Sequence, residues 1–427
     1  MKEELLQFIW KYQLFKHKAL FTTQGELIEI VHPGHHNHDA GPDFLDGRIR
    51  IGKTLWAGNI ELHIKASEWY SHKHDTDPAY KNVILHVVYQ DDLGQNKRNS
   101  PDLPVFELVQ LVHPSLFEKY NNLMLNNLWI PCEENVLEVT SIVRSGWFER
   151  MVIERMESRY EQIIGIATKN KFDWIESFHQ YLCRNFGFKV NSDAFQNLAE
   201  ITPLKLMAKH KNNLMQIEAL LFGQAGLLSN IYKDDYSVAL KKEYDFLRKK
   251  YDLTPMNPAW WKFSKLHPAN FPTIRISQYA GLISKSSHLY SKLLEEKDLQ
   301  TILSLLDCRT SDYWKYHYTF EHITSQVGER KIGRSSVYNL LINTVIPFLF
   351  IYGKEKNQTE YINRAINLLD QLPAEKNRIL EKFEVLGFNN PNASASQALL
   401  HMKKNYCNQK SCLDCSIGVS LIRFKAE

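Results

Sequence analysis

The feature that most constrains the fold is a change of hydrophobic period near residue 140. Before it, segments such as Trp56–Lys65 and Asn82–Tyr89 alternate or run continuously apolar, as β-strands do. After it, apolar residues recur with the helical period over long segments, for example 141–167 and 335–352. Strands followed by helices predict a mixed α+β fold, with a sheet ahead of a mostly α-helical region.

The length predicts more than one domain, because 427 residues exceed one ordinary hydrophobic core. We expect an α/β domain over residues 1–115, a linker over 116–139 and a helical region over 140–427. The helical region ends in a cysteine-rich segment that is expected to bind metal. Hydrophobic residues make up 44% and charged residues 23% of the chain, which indicates a globular protein and excludes a disordered one.

Charge and hydropathy bear on whether the protein binds nucleic acid or a membrane. A net charge of +4 permits nucleic-acid binding without requiring it. The apolar run Val337–Tyr352 is shorter than the ~18 residues of a membrane span, so we expect a buried core helix and no membrane. The acidic start Met1–Glu4 lacks the pattern of a signal peptide, and the expected location is the cytoplasm.

Two acidic residues stand out in the strand-rich part. Asp43 follows the turn Gly41-Pro42, and Glu61 lies in the alternating segment Ile60–Lys65. Strand alternation places Glu61, His63 and Lys65 on one face. Carboxylates that meet repel each other, and a divalent cation removes that cost. The sequence therefore predicts Mg²⁺ or Mn²⁺ on Asp43 and Glu61, with His63 or Lys65 assisting an attacking water.

The order Pro42-Asp43 and then Glu61-Leu62-His63 resembles the PD-(D/E)XK nuclease superfamily. That resemblance implies a restriction-endonuclease-like αβββαβ core, metal-dependent cleavage of nucleic acid, and (D/E)-x-K on the motif strand. This chain has His63 where the superfamily has lysine, and Lys65 follows two residues later, which leaves the positioning of the nucleophile open.

A wider set of segments is similar to a family of uncharacterised bacterial proteins, catalogued only as a domain of unknown function. The segments are Gly41-Pro-Asp-Phe, Trp56–His63, Trp69–His74 and Ala79–Val88. This similarity implies no activity.

Histidines crowd the same region, and eight of the 17 fall between His32 and His86. Imidazole suits Zn²⁺, so some of them are candidate metal ligands, and contact with substrate or an ordinary loop role are the alternatives. His86 lies in an apolar strand and is predicted to be a hydrogen-bonded core residue, unless it shares the strand face of Glu61. The residues predicted to contact substrate are His38, Trp69, His72 and His74, although Trp69 also suits a core.

The C-terminal cysteines form a second signal. Cys407, Cys412 and Cys415 stand close together in the sequence, and three or four converging thiolates bind Zn²⁺ or an iron–sulfur cluster. A fourth ligand must come from elsewhere, and Cys308 is the first choice and His401 the second. Some PD-(D/E)XK nucleases hold a [4Fe–4S] cluster with one distant and three late cysteines, but their late spacing differs.

The function predicted from the sequence is that of a metal-dependent nuclease with nucleic acid as its partner. One alternative is a catalytically inactive nucleic-acid-binding protein on the same fold, motivated by the missing motif lysine. The other is a zinc hydrolase that uses the histidine-rich loop.

Overall fold

The computed structural model describes residues 2–93, 103–286 and 288–423. Its nine strands are β1 Leu20–Phe21, β2 Leu27–His32, β3 His35–His36, β4 Phe44–Ile51, β5 Thr54–Lys65, β6 Val83–Gln90, β7 Val105–Glu107, β8 His317–Thr319 and β9 His322–Ile323. Seven of the described strands form one sheet in the order β1-β2-β4-β5-β6-β7, with β3 paired to β4. The last two form a separate hairpin.

The helices account for most of the remaining described chain. They are α1 Glu3–Lys11, α2 Glu68–Ser71, α3 Pro114–Leu125, α4 Ser141–Glu157, α5 Tyr160–Lys169, α6 Trp174–Phe186, α7 Ser192–Ile201, α8 Leu204–Ala208, α9 Leu214–Gln224, α10 Asp235–Tyr251, α11 Pro272–Lys285, α12 Leu289–Glu295, α13 Leu299–Leu306, α14 Arg334–Leu340, α15 Ile346–Glu355, α16 Thr359–Gln371, α17 Arg378–Val385, α18 Ala393–Met402 and α19 Ser416–Arg423. The α+β class and the order of sheet before helices are confirmed.

The chain forms two compact units. The first comprises Met1–Trp147 together with Met402–Glu427, and the second comprises Phe148–His401. This division differs from the predicted one, because the segment expected to be a linker contains α3 and belongs to the first unit. The cysteine-rich segment also belongs to the first unit, although it follows the helical region in the sequence.

The sheet of the first unit has antiparallel and parallel halves. β4 and β5 form an antiparallel hairpin that turns at Gly52-Lys53, where Gly52 has φ +57°. β5 pairs parallel with β6, and β6 parallel with β7. The first six residues of β6 are buried, as its continuous apolar sequence predicted for a strand covered on both faces. The amphipathic helix α1 packs on β5 through a buried face that includes Leu5, Leu6 and Ile9.

The histidine-rich loop before Asp43 contains a short strand. His35 and His36 form the short strand β3, which pairs with Leu45 and Phe44 of β4. The N–H of Asn37 donates to the carbonyl of Asp43 (2.7 Å), so this pairing continues to the acidic residue. The edge strand therefore fixes the position at which Asp43 enters β4.

The second unit is built around helices that are buried on nearly all sides. Every residue of α9 from Ile217 to Gln224 is buried, and α11 is buried from Pro272 to Ala280. The helical stretch Arg334–Glu355 joins α14, a π-helical turn and α15. By length and composition it could cross a membrane, but 72% of its apolar window is buried inside the unit, as in the core helix that the sequence predicted.

Candidate metal centre

Strand register brings the two predicted acidic residues together. Phe44 pairs with Ile60 in the antiparallel β4–β5 ladder, so Asp43, one residue earlier, lies opposite Glu61, one residue later. The backbone N–H of Asp43 donates to Oε2 of Glu61 (3.0 Å), and the N–H of Leu62 donates to Oδ2 of Asp43 (3.0 Å). These reciprocal contacts hold both carboxylates at one end of β4.

The carboxylate of Asp43 is held from two sides. Nε2 of Gln7, on α1, donates to Oδ1 of Asp43 (2.7 Å), while Leu62 occupies Oδ2. Asp43 is therefore fixed by the helix and by the strand, and its own backbone N–H orients Glu61. In this arrangement Asp43 supports Glu61 and is less suited to be a direct ligand than the sequence predicted.

The second oxygen of Glu61 faces histidines. Oε1 of Glu61 lies 3.4 Å from Nε2 of His74 and 3.7 Å from Nε2 of His63. Glu61 is only 4% exposed and His63 only 1% exposed, although both stand on the strand face opposite the core residues Ile60 and Leu62. The strand is buried on both faces here, so Glu61 and His63 form a site that is protected from solvent.

Three histidines converge beside Glu61. One ring nitrogen from each of His63, His72 and His74 lies within 4.8 Å of the other two, and Nε2 of His63 is 3.2 Å from Nδ1 of His72. His72 and His74 follow α2 and flank Lys73, which has a left-handed φ of +62°. This turn directs the two rings towards the strand residue His63.

A fourth histidine supports the first. β5 and β6 pair with Glu61 opposite His86, and Nε2 of His86 lies 2.9 Å from Nδ1 of His63. If the proton of this contact sits on Nδ1 of His63, then Nε2 of His63 keeps a lone pair for a metal. Metal-binding histidines commonly use their other nitrogen in this way, which fixes the tautomer and the ring orientation.

Burial shapes the electrostatics of the site. Burial, followed by the proximity of Asp43, raises the pKa of Glu61 to about 9. Burial also raises the pKa of Asp43 to about 7, against the lowering effect of the hydrogen bond from Leu62. Burial and the neighbouring histidines lower the pKa of His63 to about 3 and also lower the pKa of His74. Without a metal, the site therefore holds His63 and His74 as neutral imidazoles and Glu61 as a protonated carboxyl near neutral pH.

The donor set fits a transition-metal ion. Three imidazole nitrogens and one carboxylate oxygen suit Zn²⁺, and they also suit Mn²⁺ when the carboxylate and water complete the shell. Mg²⁺ prefers oxygen ligands and suits this set less well. Nδ1 of His74 is buried and makes no hydrogen bond within the described residues, so the contact of Nε2 with Glu61 and the packing of the ring hold this imidazole. Its ring stacks on Tyr80 at a centroid distance of 3.7 Å.

The remaining predicted residues lie at different distances from this centre. Lys65 is exposed at the end of β5, and His38 is exposed in the loop, where its ring contacts His36 (centroids 4.3 Å apart). Trp69 is 5% exposed and packs against His74 and His86, with centroids 5.5 and 5.2 Å away. Trp69 therefore supports the histidines and does not present a free face on which a base could stack.

The sequence did not indicate Gln7 as part of the site, and it predicted His86 as a hydrogen-bonded core residue unless that residue shared the face of Glu61, as it does here. Gln7 is an ordinary polar residue on the helix α1, and nothing in its sequence context indicates that it meets Asp43. His86 carried a stronger signal, because a polar residue in a continuous apolar strand needs a partner. Its contact with His63 depends on the parallel register between β5 and β6, which the local pattern does not encode.

The cysteines form a second candidate centre in the first unit. Cys132 lies near the thiols of Cys407, Cys412 and Cys415. Each of these four thiols has an electrostatic interaction with at least one of the others. Nζ of Lys410 donates to the carbonyls of Met124 (2.8 Å) and Asn126 (2.6 Å). These two bonds connect the late loop, which we define as the segment between Cys407 and Cys412, to the end of α3. We call Cys132, Cys407, Cys412 and Cys415 the four-thiol cluster.

The four-thiol cluster is largely protected from solvent. Cys132, Cys412 and Cys415 are at most 9% exposed, and none of the four forms a disulfide. Burial, followed by the neighbouring thiols, raises the pKa of Cys132 to about 12, while N–H groups of Gly418 and Ile417 at the start of α19 partly offset the burial that raises the pKa of Cys415. A metal would remove the cost of forming thiolates here.

Cys132 replaces Cys308 as the fourth candidate ligand. Cys308 belongs to the second unit, where its charged neighbours are Arg275, Asp307 and Lys285. His401, the second choice, is also in that unit, with Nε2 3.4 Å from Oε2 of Glu154. The sequence did not indicate Cys132 as the fourth ligand, because this residue lies far from Cys407, Cys412 and Cys415 and in the segment expected to be a linker.

Comparison with known proteins gives one match. The family model described as "Protein of unknown function (DUF2851)" matches residues 3–378. No curated protein and no solved structure matches the chain.

Proposed function

Because the chain belongs to the family of proteins of unknown function DUF2851, we propose its activity from its own site: a metal-dependent nuclease that hydrolyses phosphodiester bonds of nucleic acid. The observation that carries this proposal is the convergence of His63, His72 and His74 beside Oε1 of Glu61. These four residues would hold Mn²⁺ or Zn²⁺. The Mg²⁺ considered from the sequence suits the three imidazoles less well.

Some residues of the site would bind the metal ion, and others hold those ligands in position. A bound ion would lower the pKa of a water and neutralise charge on the scissile phosphate. Glu61 is oriented by the N–H of Asp43, and His63 by His86. His72 is the exposed member of the three histidines, so a substrate would reach an ion held here from the side of His72. Lys65, exposed at the end of the same strand, is available to pair with a substrate phosphate.

The choice of a phosphodiester substrate is supported by the order of the elements. An acidic residue after a Gly-Pro turn enters β4, a second one lies in the middle of β5, and a parallel strand β6 follows. This is the order implied by the resemblance to the PD-(D/E)XK superfamily. The position of the motif lysine is taken here by His63, a candidate ligand, which explains why a softer ion would replace Mg²⁺ in this chain.

The test is a cleavage assay on single- and double-stranded DNA and RNA with EDTA, Mg²⁺, Mn²⁺ or Zn²⁺. We expect cleavage with Mn²⁺ or Zn²⁺, and loss of cleavage in Glu61→Gln and His74→Gln. Glu29→Gln is the matched control, because Glu29 lies in the same sheet with a side chain that is 63% exposed and pairs with Arg50. Binding without cleavage under every metal condition would support the inactive nucleic-acid-binding alternative instead. Cleavage that survives Glu61→Gln but not substitution of His35 and His36 would support the histidine-loop hydrolase.

We further propose that the four-thiol cluster binds an iron–sulfur cluster. Zn–S bonds of about 2.3 Å place the sulfur atoms of a tetrahedral zinc site roughly 3.8 Å apart. Among the described residues, the group whose ligand atoms all lie within 4.8 Å is the histidine set, and the four thiols do not form a second one. The four sulfur atoms are near enough to interact electrostatically, but no three of them lie within 4.8 Å of one another. One zinc ion requires a closer spacing, so we favour a larger cluster.

Metal analysis and visible absorbance test this second centre. Protein purified without oxygen should contain iron and acid-labile sulfide and absorb visible light, whereas zinc is colourless. Cys132→Ser should lose the absorbance, while the matched variant Cys308→Ser should keep it. Stoichiometric zinc without iron would overturn the assignment of the metal, and loss of metal only in Cys308→Ser would overturn the assignment of the ligand.

A further inference from the structure

A buried arginine of the second unit has only neutral partners. Arg275, on α11, is 5% exposed. Its Nη1 donates to Oε1 of Gln278 (2.9 Å), and its Nη2 donates to Oδ1 of Asn270 (2.6 Å) and, more weakly, to Oγ of Ser336 (3.3 Å). A carboxylate is absent from the partners of Arg275 throughout the described chain. The charge of the guanidinium is therefore not compensated by the protein.

One N–H donor of this guanidinium has no hydrogen-bond acceptor among the described residues. Nε of Arg275 is buried and makes no hydrogen bond to any described residue. The guanidinium carbon lies 4.5 Å from the centroid of the Phe188 ring, a contact that stabilises the cation only in part. Removing a charge from water without a counter-ion is costly, so a protein that keeps such a residue gains when an anion binds beside it.

Arg275 lines a cavity of suitable size and chemistry. The cavity measures about 370 Å³, within the range of sites for small molecules. Among the described residues that line the cavity, none is Asp or Glu. The polar lining is Asn191, Asn270, Arg275, Ser335, Ser336 and Asn339.

The rest of the wall is apolar and includes Phe188, Val190 and Leu266. Amide and hydroxyl donors thus surround one cation, next to a hydrophobic surface.

We propose that this cavity binds the phosphate group of a small phosphorylated organic molecule, with Arg275 as the anchoring cation. Gln278 and Asn270 occupy part of the guanidinium fork, so a planar carboxylate cannot use it fully. A phosphate has more acceptor oxygens, which suit donors spread over Arg275, the serine hydroxyls and Asn339. The apolar wall and the volume leave room for the organic part of the ligand.

The test is calorimetric titration of the full chain with phenyl phosphate, benzoate and a short oligonucleotide. EDTA is present throughout, so the proposed metal centre of the first unit does not contribute and failure here is independent of the nuclease proposal. We expect saturable binding of phenyl phosphate at one site per chain and weaker binding of benzoate. Equal or tighter binding of benzoate would overturn the phosphate assignment, and so would saturable binding of the oligonucleotide alone.

Variants locate the binding. Arg275→Gln should weaken phenyl phosphate by about tenfold or more, as expected when a charge-assisted hydrogen bond is lost. Asn339→Ala, at a half-buried lining position, should weaken it several-fold without disturbing the core, which keeps the test decisive if Arg275→Gln unfolds. Arg309→Gln is the matched control, because the Arg309 side chain is 69% exposed in the same unit. Unchanged affinity in both cavity variants would refute the proposal.

Discussion

Replacing Glu61 by glutamine should stabilise the metal-free protein while abolishing metal binding. Glutamine keeps the size of the side chain and an oxygen that can accept the N–H of Asp43. It removes the group that burial forces to stay protonated, with a pKa raised from 4.5 to about 9. The unfolded chain loses this proton near pH 4.5, whereas the folded metal-free chain keeps it up to about pH 9.

The sign and the size of the effect follow from linkage. A raised carboxyl pKa contributes stability that is complete below the unfolded value and is lost as the pH rises through the folded value. The loss is about 1.4 kcal/mol per pH unit across this window, which amounts to roughly 5 kcal/mol by pH 8. Glu61→Gln has no such loss, so its stability advantage should be small at pH 4.5 and grow as the pH rises.

Native-state hydrogen exchange of β5 in EDTA, from pH 5 to pH 8, measures this difference locally in the first unit. Adding Mn²⁺ or Zn²⁺ should stabilise the wild type at pH 8 and leave Glu61→Gln unchanged. Glu29→Gln should stay within about 0.5 kcal/mol of the wild type at every pH, because that residue is exposed. A difference between wild type and Glu61→Gln that stays constant with pH, or that favours the wild type without metal, would refute the reasoning.

Other changes test separate parts of the structure. The apparent metal affinity of the wild type should rise with pH up to about 9, because the ion displaces the proton of Glu61, and calorimetry in two buffers of different ionisation enthalpy should detect that proton. His86→Ala should lower the metal affinity by about 10- to 100-fold without abolishing it, since it removes the partner of a ligand; unchanged affinity in a metal titration would contradict this role. Gly58→Ala should destabilise the sheet by about 1–3 kcal/mol in chemical denaturation, because its Cβ would lie 2.6 Å from the backbone oxygen of Asn82. Lys410→Met should speed the loss of metal from the four-thiol cluster to a chelator, as it removes two hydrogen bonds that tie the late loop to α3; equal release rates would argue against that anchor.

Local patterns predicted the strand β5 and the faces of its side chains well. Alternation in Ile60–Lys65 placed Glu61 and His63 on the same side. The turn at Gly52 sets the register of the hairpin, and an irregularity between Phe44 and Gly47 shifts that register by one residue, so that Asp43 lies opposite Glu61. These features depend on residues that are close in the sequence, where side-chain period and turn chemistry act directly.

Contacts between distant segments were not predictable in the same way. The contact of His86 with His63 requires the parallel register between β5 and β6. Cys132 meets Cys407, Cys412 and Cys415 only through the fold of the first unit. In the sequence, Cys308 was as plausible a fourth ligand as Cys132, because the number and spacing of cysteines do not indicate which distant cysteine lies near the other three. Tertiary packing decides such pairings.

The discontinuity of the first unit has a consequence for biosynthesis. During translation, the sheet and Cys132 leave the ribosome first, then the whole second unit, and only then the residues from Met402 onwards. The four-thiol cluster therefore cannot assemble until more than two hundred and fifty further residues have been made after Trp147. A metal bound by the four thiols would therefore mark the moment at which the last part of the first unit has been made. A nascent chain arrested inside the second unit would contain the histidine site but not the complete cysteine site.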